Sequence, residues 1–485
     1  MSEDVAGSRR LLSVADAENL SIEDVWRLYR RHISASQVEL LGTFGPGREL
    51  VDYAEGCYIF LKSGKRVLDL TGGIGVLNHG HNHPAILETR RLFEQHKRME
   101  VHKNYLSPYT AALSANVAAV LPADLEVSFF PNSGSEAVEG AVKMAYKFHS
   151  GTRSTVLHAD ISFHGKLLGA ASLTGSPELG FTFPQIPGVD SFHYGEFASL
   201  VEAVDRHRNT DGTSDVYAIL VEPLNASSMR SLDPDFLINL RRLCNDEGIV
   251  LIFDEVYTGW GKTGTLFNFM RVENLVPDIL VFAKSFGGGK ASISGYTART
   301  HIAQQAYDNL ADATLHSTTY YGFGEEVATA LSAINVIVDD RLVDRSAEIG
   351  RSFAPHAMRI GDESRLVADV RGSGALWGFI LESSIFESAI ARMNQLGLLG
   401  RFSDARLGQK LVVGSVVNHL YSAHNILTYF GSNRELPLII SFPLVARQEE
   451  MDLAVEALNE TLSRNVVSLA VEFARAKLSG PKAHT

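Results

Sequence analysis

The chain has 485 residues, enough for two or three domains or for one large domain with a smaller companion. Hydrophobic residues are 45% and charged residues 21%, the balance of a soluble globular protein, and a formal net charge of −12 argues against nucleic acid as the main partner, because phosphate-binding surfaces need a basic excess. Two cysteines exclude a disulfide framework, the polar N-terminus lacks a signal-peptide core and no apolar run approaches bilayer length, so no membrane contact and a cytoplasmic location are expected.

Residues 1–18 and 477–485 read as disordered tails. SIEDVWRLYRRHI, residues 21–33, carries a serine cap and early acids, which predict an amphipathic helix. GCYIFLKSGKRVLDL, residues 56–70, reads as two strands joined at Ser63-Gly64-Lys65. From residue 85 helical patterns alternate with apolar runs at 127–130, 155–158, 218–221, 250–253 and 279–282. Their β-branched content and the helices between them predict an α/β fold with a mainly parallel sheet covered on both faces. Beyond about residue 330 come a helix at 327–338, the strand-like VADVRGSGALWGFIL, a helix-rich stretch at 384–423, the strand PLIISFP and final helices. The predicted division is an N-terminal segment, 19–84, a large domain, 85–330, and a smaller α+β domain, 331–476.

Several polar motifs interrupt this pattern. NHGHNHP places His79, His81 and His83 at alternate positions, but glycine and proline make it a turn and no metal site is expected. TGWGKTG and GGGK lack the first glycine of a P-loop. In FFPNSGSEAVEG an apolar strand end meets a polar turn and a helix start, where free amides, two hydroxyls and a glycine make an anion site. In VLIFDEVYTGWG, Asp254 and Glu255 end a buried strand at the edge where open α/β sheets hold ligands. Lys284 likewise ends the run LVFA, and a lysine is costly to desolvate there unless it is neutralised or used. Gly287, Gly288 and Gly289 behind it would let the chain turn close to a ligand. A phosphate cup, a carboxylate for a pyridine nitrogen, a lysine, and an aromatic ring, Phe163 in ADISFHGKLLGA, together meet the needs of pyridoxal phosphate.

The stretch DEVYTGWGKTGTLFNFMRVENLVPDILVFAKSFGGG resembles the cofactor signature of the class III, or subgroup II, aminotransferases of fold type I. LDLTGGIGVLNHGHNHP, FFPNSGSEAVEGAVKMA, SFHGKLLGAASLTG, ILVEP and LHSTTYYGFG extend the resemblance over most of the chain. It implies a large domain built on a mainly parallel seven-stranded sheet, with a smaller α+β domain from the N- and C-terminal parts. It also implies that Lys284 is the Schiff-base lysine, that Asp254 partners the pyridine nitrogen, and that Val256 and Phe163 flank the ring. Ser133, Gly134 and Ser135 match the phosphate cup, and His164 and Glu222 match positions behind the cofactor. Thr319 matches a threonine that reaches the neighbouring subunit's phosphate, which implies a homodimer with shared sites and dimer contacts from residues 19–84. The implied activity is ping-pong transfer of an amino group from an amine or amino-acid donor to an aldehyde or ketone acceptor. Isomerases and decarboxylating enzymes of the same fold use the same residues.

Departures from the family pattern bear on the substrate. Tyr257 stands where many members have glutamine near the ring hydroxyl. Ile439 falls where ornithine and 4-aminobutyrate aminotransferases carry an arginine for the α-carboxylate, and Ser227 where they carry the glutamate that covers it. Losing both avoids an unpaired buried charge. Lys166 replaces a frequent arginine, and Arg230 and Arg434 are candidate substitutes for the missing cation. The expectation is an ω-amine or aldehyde substrate with an apolar or extended body, contacted by GSVVNHLYSAHNILTYFGSNREL.

Overall fold

Asp254 and Lys284 leave neighbouring strands of one sheet, and the sheet determines where they meet. In the computed structural model the described residues are 11–175, 183–384, 386–388, 406–431 and 433–478. Seven strands form the sheet in the spatial order Leu125–Phe129, Gly295–Arg299, Ile279–Phe282, Val250–Asp254, Val216–Val221, Thr155–Ala159, Val189–Phe192. Gly295–Arg299 is antiparallel to both neighbours, and the other pairings are parallel. The remaining strands therefore present their carboxyl ends along one edge.

The central strands are continuous apolar runs because both faces are covered. Alternate residues serve opposite layers, as the period of two requires. Val250, Ile252, Ile279 and Val281 pack with Ala137, Val138, Ala141 and Met144 of the helix Gly134–Phe148. Leu251, Phe253, Leu280 and Phe282 face the other layer, which includes Trp260, Phe267, Phe269 and Phe286.

Two smaller sheets complete the chain. Val367–Ser373, Leu376–Leu381, Leu438–Ser441 and Tyr429–Phe430 form an antiparallel sheet. Val51–Glu55, Tyr58–Leu61 and Arg66–Asp69 form another, and Ile426–Leu427 joins it in parallel alongside Arg66–Asp69. The smaller α+β part is thus assembled from both ends of the chain.

Two boundaries differ from the sequence reading. Order starts before residue 18, because the Ser13 hydroxyl accepts from the Asp16 amide while the Asp16 carboxylate accepts from the Ser13 amide, capping the short helix Val14–Glu18. Polar composition alone concealed this box. At the other end the helix Val466–Leu478 continues past 477, and residues 1–10 and 479–485 lie outside the described residues. Within the expected helical stretch the helix Leu407–His424 forms the later part, and residues 389–405 lie outside the description. No helix among the described residues is long and apolar enough to cross a membrane.

Candidate active site

Five segments bring functional groups to the carboxyl edge of the large sheet. Asp254 ends its strand, Glu222 follows Val216–Val221 and Lys284 stands two residues beyond Phe282. Phe163 and His164 lie on the loop after Thr155–Ala159, and the helix Gly134–Phe148 opens after Leu125–Phe129. All of them line one cavity of about 570 Å³, together with Ser133, Gly134, Ser135, Lys166, Val256 and Tyr257.

At one end of the cavity the helix start is built as an anion cradle. The Ser133 hydroxyl accepts from the Glu136 amide at 3.3 Å and donates to Glu136 Oε2 at 3.0 Å, which fixes the turn. The amides of Gly134 and Ser135 stand in the first turn, where no intrahelical partner exists. A Cβ at Gly134 would press on Val256 at 3.1 Å, and one at Gly165 would strike Ser135 Oγ at 2.1 Å. Glycine at both positions keeps the cradle open.

The middle of the cavity holds the charged groups. Asp254 Oδ2 lies 2.7 Å from His164 Nδ1, and Asp254 Oδ1 accepts from the Val256 amide at 2.9 Å, so the carboxylate is held in one orientation. Glu222 accepts from the Phe163 amide at 2.9 Å and from Asn225 Nδ2 at 2.6 Å. Burial, aided by Asp254, pushes the Glu222 carboxyl up to about 7, against the opposing pull of His164. Burial also lowers the Lys284 ammonium below its ordinary value, although Asp254 and Glu222 oppose the shift. Lys284 has φ 51°, a strained conformation for a lysine and one that clusters at functional sites. Glu255 faces away: it is buried and accepts from the amides of Asn268 and Phe269, bracing the following loop.

The sequence model of the family described as Aminotransferase class-III matches residues 47–414. The chain belongs to the class-III aminotransferase family. It is a pyridoxal-phosphate-dependent transaminase, and the cradle, the oriented Asp254 and the buried amine of Lys284 fit that cofactor. Solved structures share the fold. A transaminase from the marine bacterium Virgibacillus is 20% identical with a TM-score of 0.78, over 92% of this chain and 99% of that one. An ornithine aminotransferase from Toxoplasma gondii, described with pyridoxal phosphate partly occupying its active site, is 21% identical with a TM-score of 0.76, over 95% and 98%. An (S)-enantioselective omega-transaminase from Thermomicrobium roseum is 23% identical with a TM-score of 0.75, over 94% and 99%.

The rest of the aminotransferase's cavity is mostly apolar. Ile74, Val76, Ala226, Phe430 and Ile439 line it, and Ser227 is the polar neighbour on that wall. Ile439 packs with Leu224, Met229 and Leu376. The hydroxyls of Tyr257 and Tyr429 hydrogen-bond to each other, and Lys284 Nζ lies 4.6 Å from the centre of the Tyr257 ring.

Other expected residues stand elsewhere. Arg230 does not line the cavity: it pairs with Glu435 at 3.1 Å, a carboxylate that also binds Arg371 at 2.6 Å. Arg434 is also outside, paired with Asp160 at 2.8 Å. Both arginines are engaged by carboxylates remote in sequence. Lys166 is exposed at the cavity margin. Thr319 is exposed and does not line its own chain's cavity. Gly287, Gly288 and Gly289 are not at the cavity either: a Cβ at Gly288 would meet Ile86 at 2.4 Å and one at Gly289 would meet Leu77 at 2.7 Å. Those glycines admit close helix packing. His79 bonds the Ala333 carbonyl at 2.9 Å, His81 meets Asp69 at 2.8 Å and His83 lies 3.7 Å from Asp340, so the three address separate partners. Tyr429 and Ser292 line the cavity without having been singled out in the sequence. The aromatic pair Tyr429-Phe430 within the altered C-terminal stretch was the available signal.

Proposed function

We propose that this aminotransferase moves the amino group of a primary amine with an apolar body to an aldehyde or ketone, in two half-reactions that share the one cavity. The observation that carries this reading is Ile439, buried in an apolar cluster beside Ser227 at the wall where a carboxylate-binding arginine would stand. Pyridoxal phosphate, when bound, supplies an aldehyde for the incoming amine and a ring that withdraws electrons. The amides of Gly134 and Ser135 and the hydroxyl of Ser135 would hold the phosphate, on the turn that Ser133 fixes. Asp254, fixed by His164 and the Val256 amide, keeps the ring nitrogen protonated. Phe163 and Val256 confine the ring between them.

Lys284 is the covalent anchor and the proton carrier. Burial favours the neutral form of its Nζ, which could accept the proton from the substrate's Cα and hold it for return. The first product leaves before the second substrate enters, which gives ping-pong kinetics.

The active unit is a homodimer in which Thr319 reaches its partner's phosphate. Exposed apolar side chains support this: Tyr105, Leu106, Leu310 and Tyr320 stand in the segments around Thr319. Lys103 ties two of these segments together by donating to the Thr318 carbonyl. The residues 19–84, 85–330 and 331–476 act as dimer-contact segment, cofactor domain and small domain. Two free, buried cysteines, Cys57 and Cys244, suit a cytoplasmic location.

The test is a two-substrate rate study pairing arylalkyl and alkyl amines with pyruvate, 2-oxoglutarate and simple aldehydes. Parallel double-reciprocal lines with apolar amines support the reading. Turnover of a single substrate without any carbonyl partner would assign the chain to the isomerases instead.

A further inference from the structure

Outside the cavity, two histidines and two carboxylates gather where the helices Leu407–His424, Gln448–Ser463 and Val466–Leu478 meet. His419 Nε2 lies 3.2 Å from Glu460 Oε2, and His424 Nε2 lies 2.9 Å from the same oxygen. One ligand atom from each residue lies within 4.8 Å of the other two. We propose that His419, His424 and Glu460 bind a divalent transition-metal cation of the zinc class, with Glu472 orienting His419 from behind.

The chemistry of the ring nitrogens favours a cation at this point. Glu472 Oε2 lies 3.0 Å from His419 Nδ1, against the ring nitrogen that faces away from Glu460. The other ring nitrogen, Nε2, faces Glu460 Oε2 at 3.2 Å and Arg464 Nη1 at 3.1 Å. A carboxylate behind the second nitrogen is the usual support of a metal-bound histidine. Bonds of about 2.0–2.1 Å in a tetrahedron place ligand atoms roughly 3.3 Å apart, close to the two separations observed. His419 is buried, His424 is half-buried and Glu460 is exposed, so an ion enters from solvent and water completes the tetrahedron.

Arg464 supplies the positive charge in this structure. Its Nη1 lies 3.1 Å from His419 Nε2 and its Nη2 lies 2.5 Å from Glu472 Oε1. A metal ion displaces Nη1, and Nη2 keeps its hold on Glu472. None of these residues lines the cofactor cavity, so the ion pins the helix Leu407–His424 to Gln448–Ser463 without entering the reaction.

The experiment titrates zinc into tag-free, chelator-treated holoenzyme by calorimetry, with metal counted after dialysis. Cofactor absorbance serves as the folding control for every variant. The expected result is one saturable ion per chain, bound about 10-fold or more weakly in His424→Gln, Glu460→Gln and Glu472→Gln and more tightly in Arg464→Gln. No saturable zinc, or the same affinity in all four variants, overturns the proposal. That outcome would leave the cluster as an ion-pair network, and it is independent of the transaminase reading.

Discussion

Tyr257 and Tyr429 join hydroxyl to hydroxyl across the cavity, linking the loop after Asp254 to the strand Tyr429–Phe430 of the second sheet. Burial pushes both phenols upward, Tyr257 to about 12, so the pair stays neutral over the working pH range. It is a hydrogen-bonding spot in an otherwise apolar wall, close to Lys284 and without charge.

Tyr429→Phe removes one member of this pair and leaves the Tyr257 hydroxyl short of a partner. The expected cost is about 1 kcal/mol of stability, with the KM for amine donors changed more than kcat, because neither phenol carries the substrate proton. Melting temperature and donor kinetics check this, and a kcat loss as large as that of a Lys284 variant would contradict it.

Ile439→Arg places a charge among Leu224, Met229 and Leu376. Alone it should destabilise the protein by about 3 kcal/mol or more. Adding Ser227→Glu should recover part of that loss, with a favourable coupling of about 0.5–3 kcal/mol. The double-mutant cycle is read by thermal denaturation. Activity toward 2-oxoglutarate should rise in the double variant relative to the unsubstituted protein.

Lys262, from the TGWGKTG segment, is fully buried with its Nζ 3.1 Å from Ser441 Oγ and 3.2 Å from the Phe442 carbonyl. Burial lowers its ammonium to about 7, although Asp69 opposes the shift. The unfolded chain holds this proton up to about 10.5 while the folded chain releases it near 7, so Lys262 makes stability rise with pH across that window. The slope from this one group is at most about 1.4 kcal/mol per pH unit. Lys262→Met should lose it, so the melting-temperature difference between wild type and variant should change steadily from pH 7 to 10.

Much of the catalytic half was legible because strands buried on both faces must be continuously apolar. A polar residue at the end of such a run, Asp254 or Lys284, stands out against it. The helix start at Ser133–Ser135 was equally visible, since capping chemistry is local. Pairings across long sequence distances were not. Arg230 with Glu435 and Arg434 with Asp160 look like free charges until the chain folds. Tyr429 sits on a two-residue strand too short to show a period, and the glycines after Lys284 serve packing against Ile86 and Leu77.

Asp254→Asn keeps the size of the side chain but removes the charge proposed to hold the ring nitrogen protonated. Activity should fall by about 10²-fold or more, while cofactor is still retained through the cradle at Gly134 and Ser135. Steady-state rates and bound-cofactor absorbance separate the two effects. Loss of cofactor equal to the loss of rate would point to binding as the role of Asp254.

The most direct measurement is the isolated first half-reaction of the holoenzyme and its Lys284→Ala variant, mixed with an apolar primary amine without any carbonyl acceptor. In the wild type the visible absorbance of the cofactor should convert in one stoichiometric turnover and return when an aldehyde or ketone is added. In Lys284→Ala the amine should bind with no proton transfer and no release of carbonyl product. Conversion at comparable rates in the two proteins, or no conversion with any amine while a single amino acid is isomerised, would contradict the assignment of Lys284 as proton carrier in an amine transaminase.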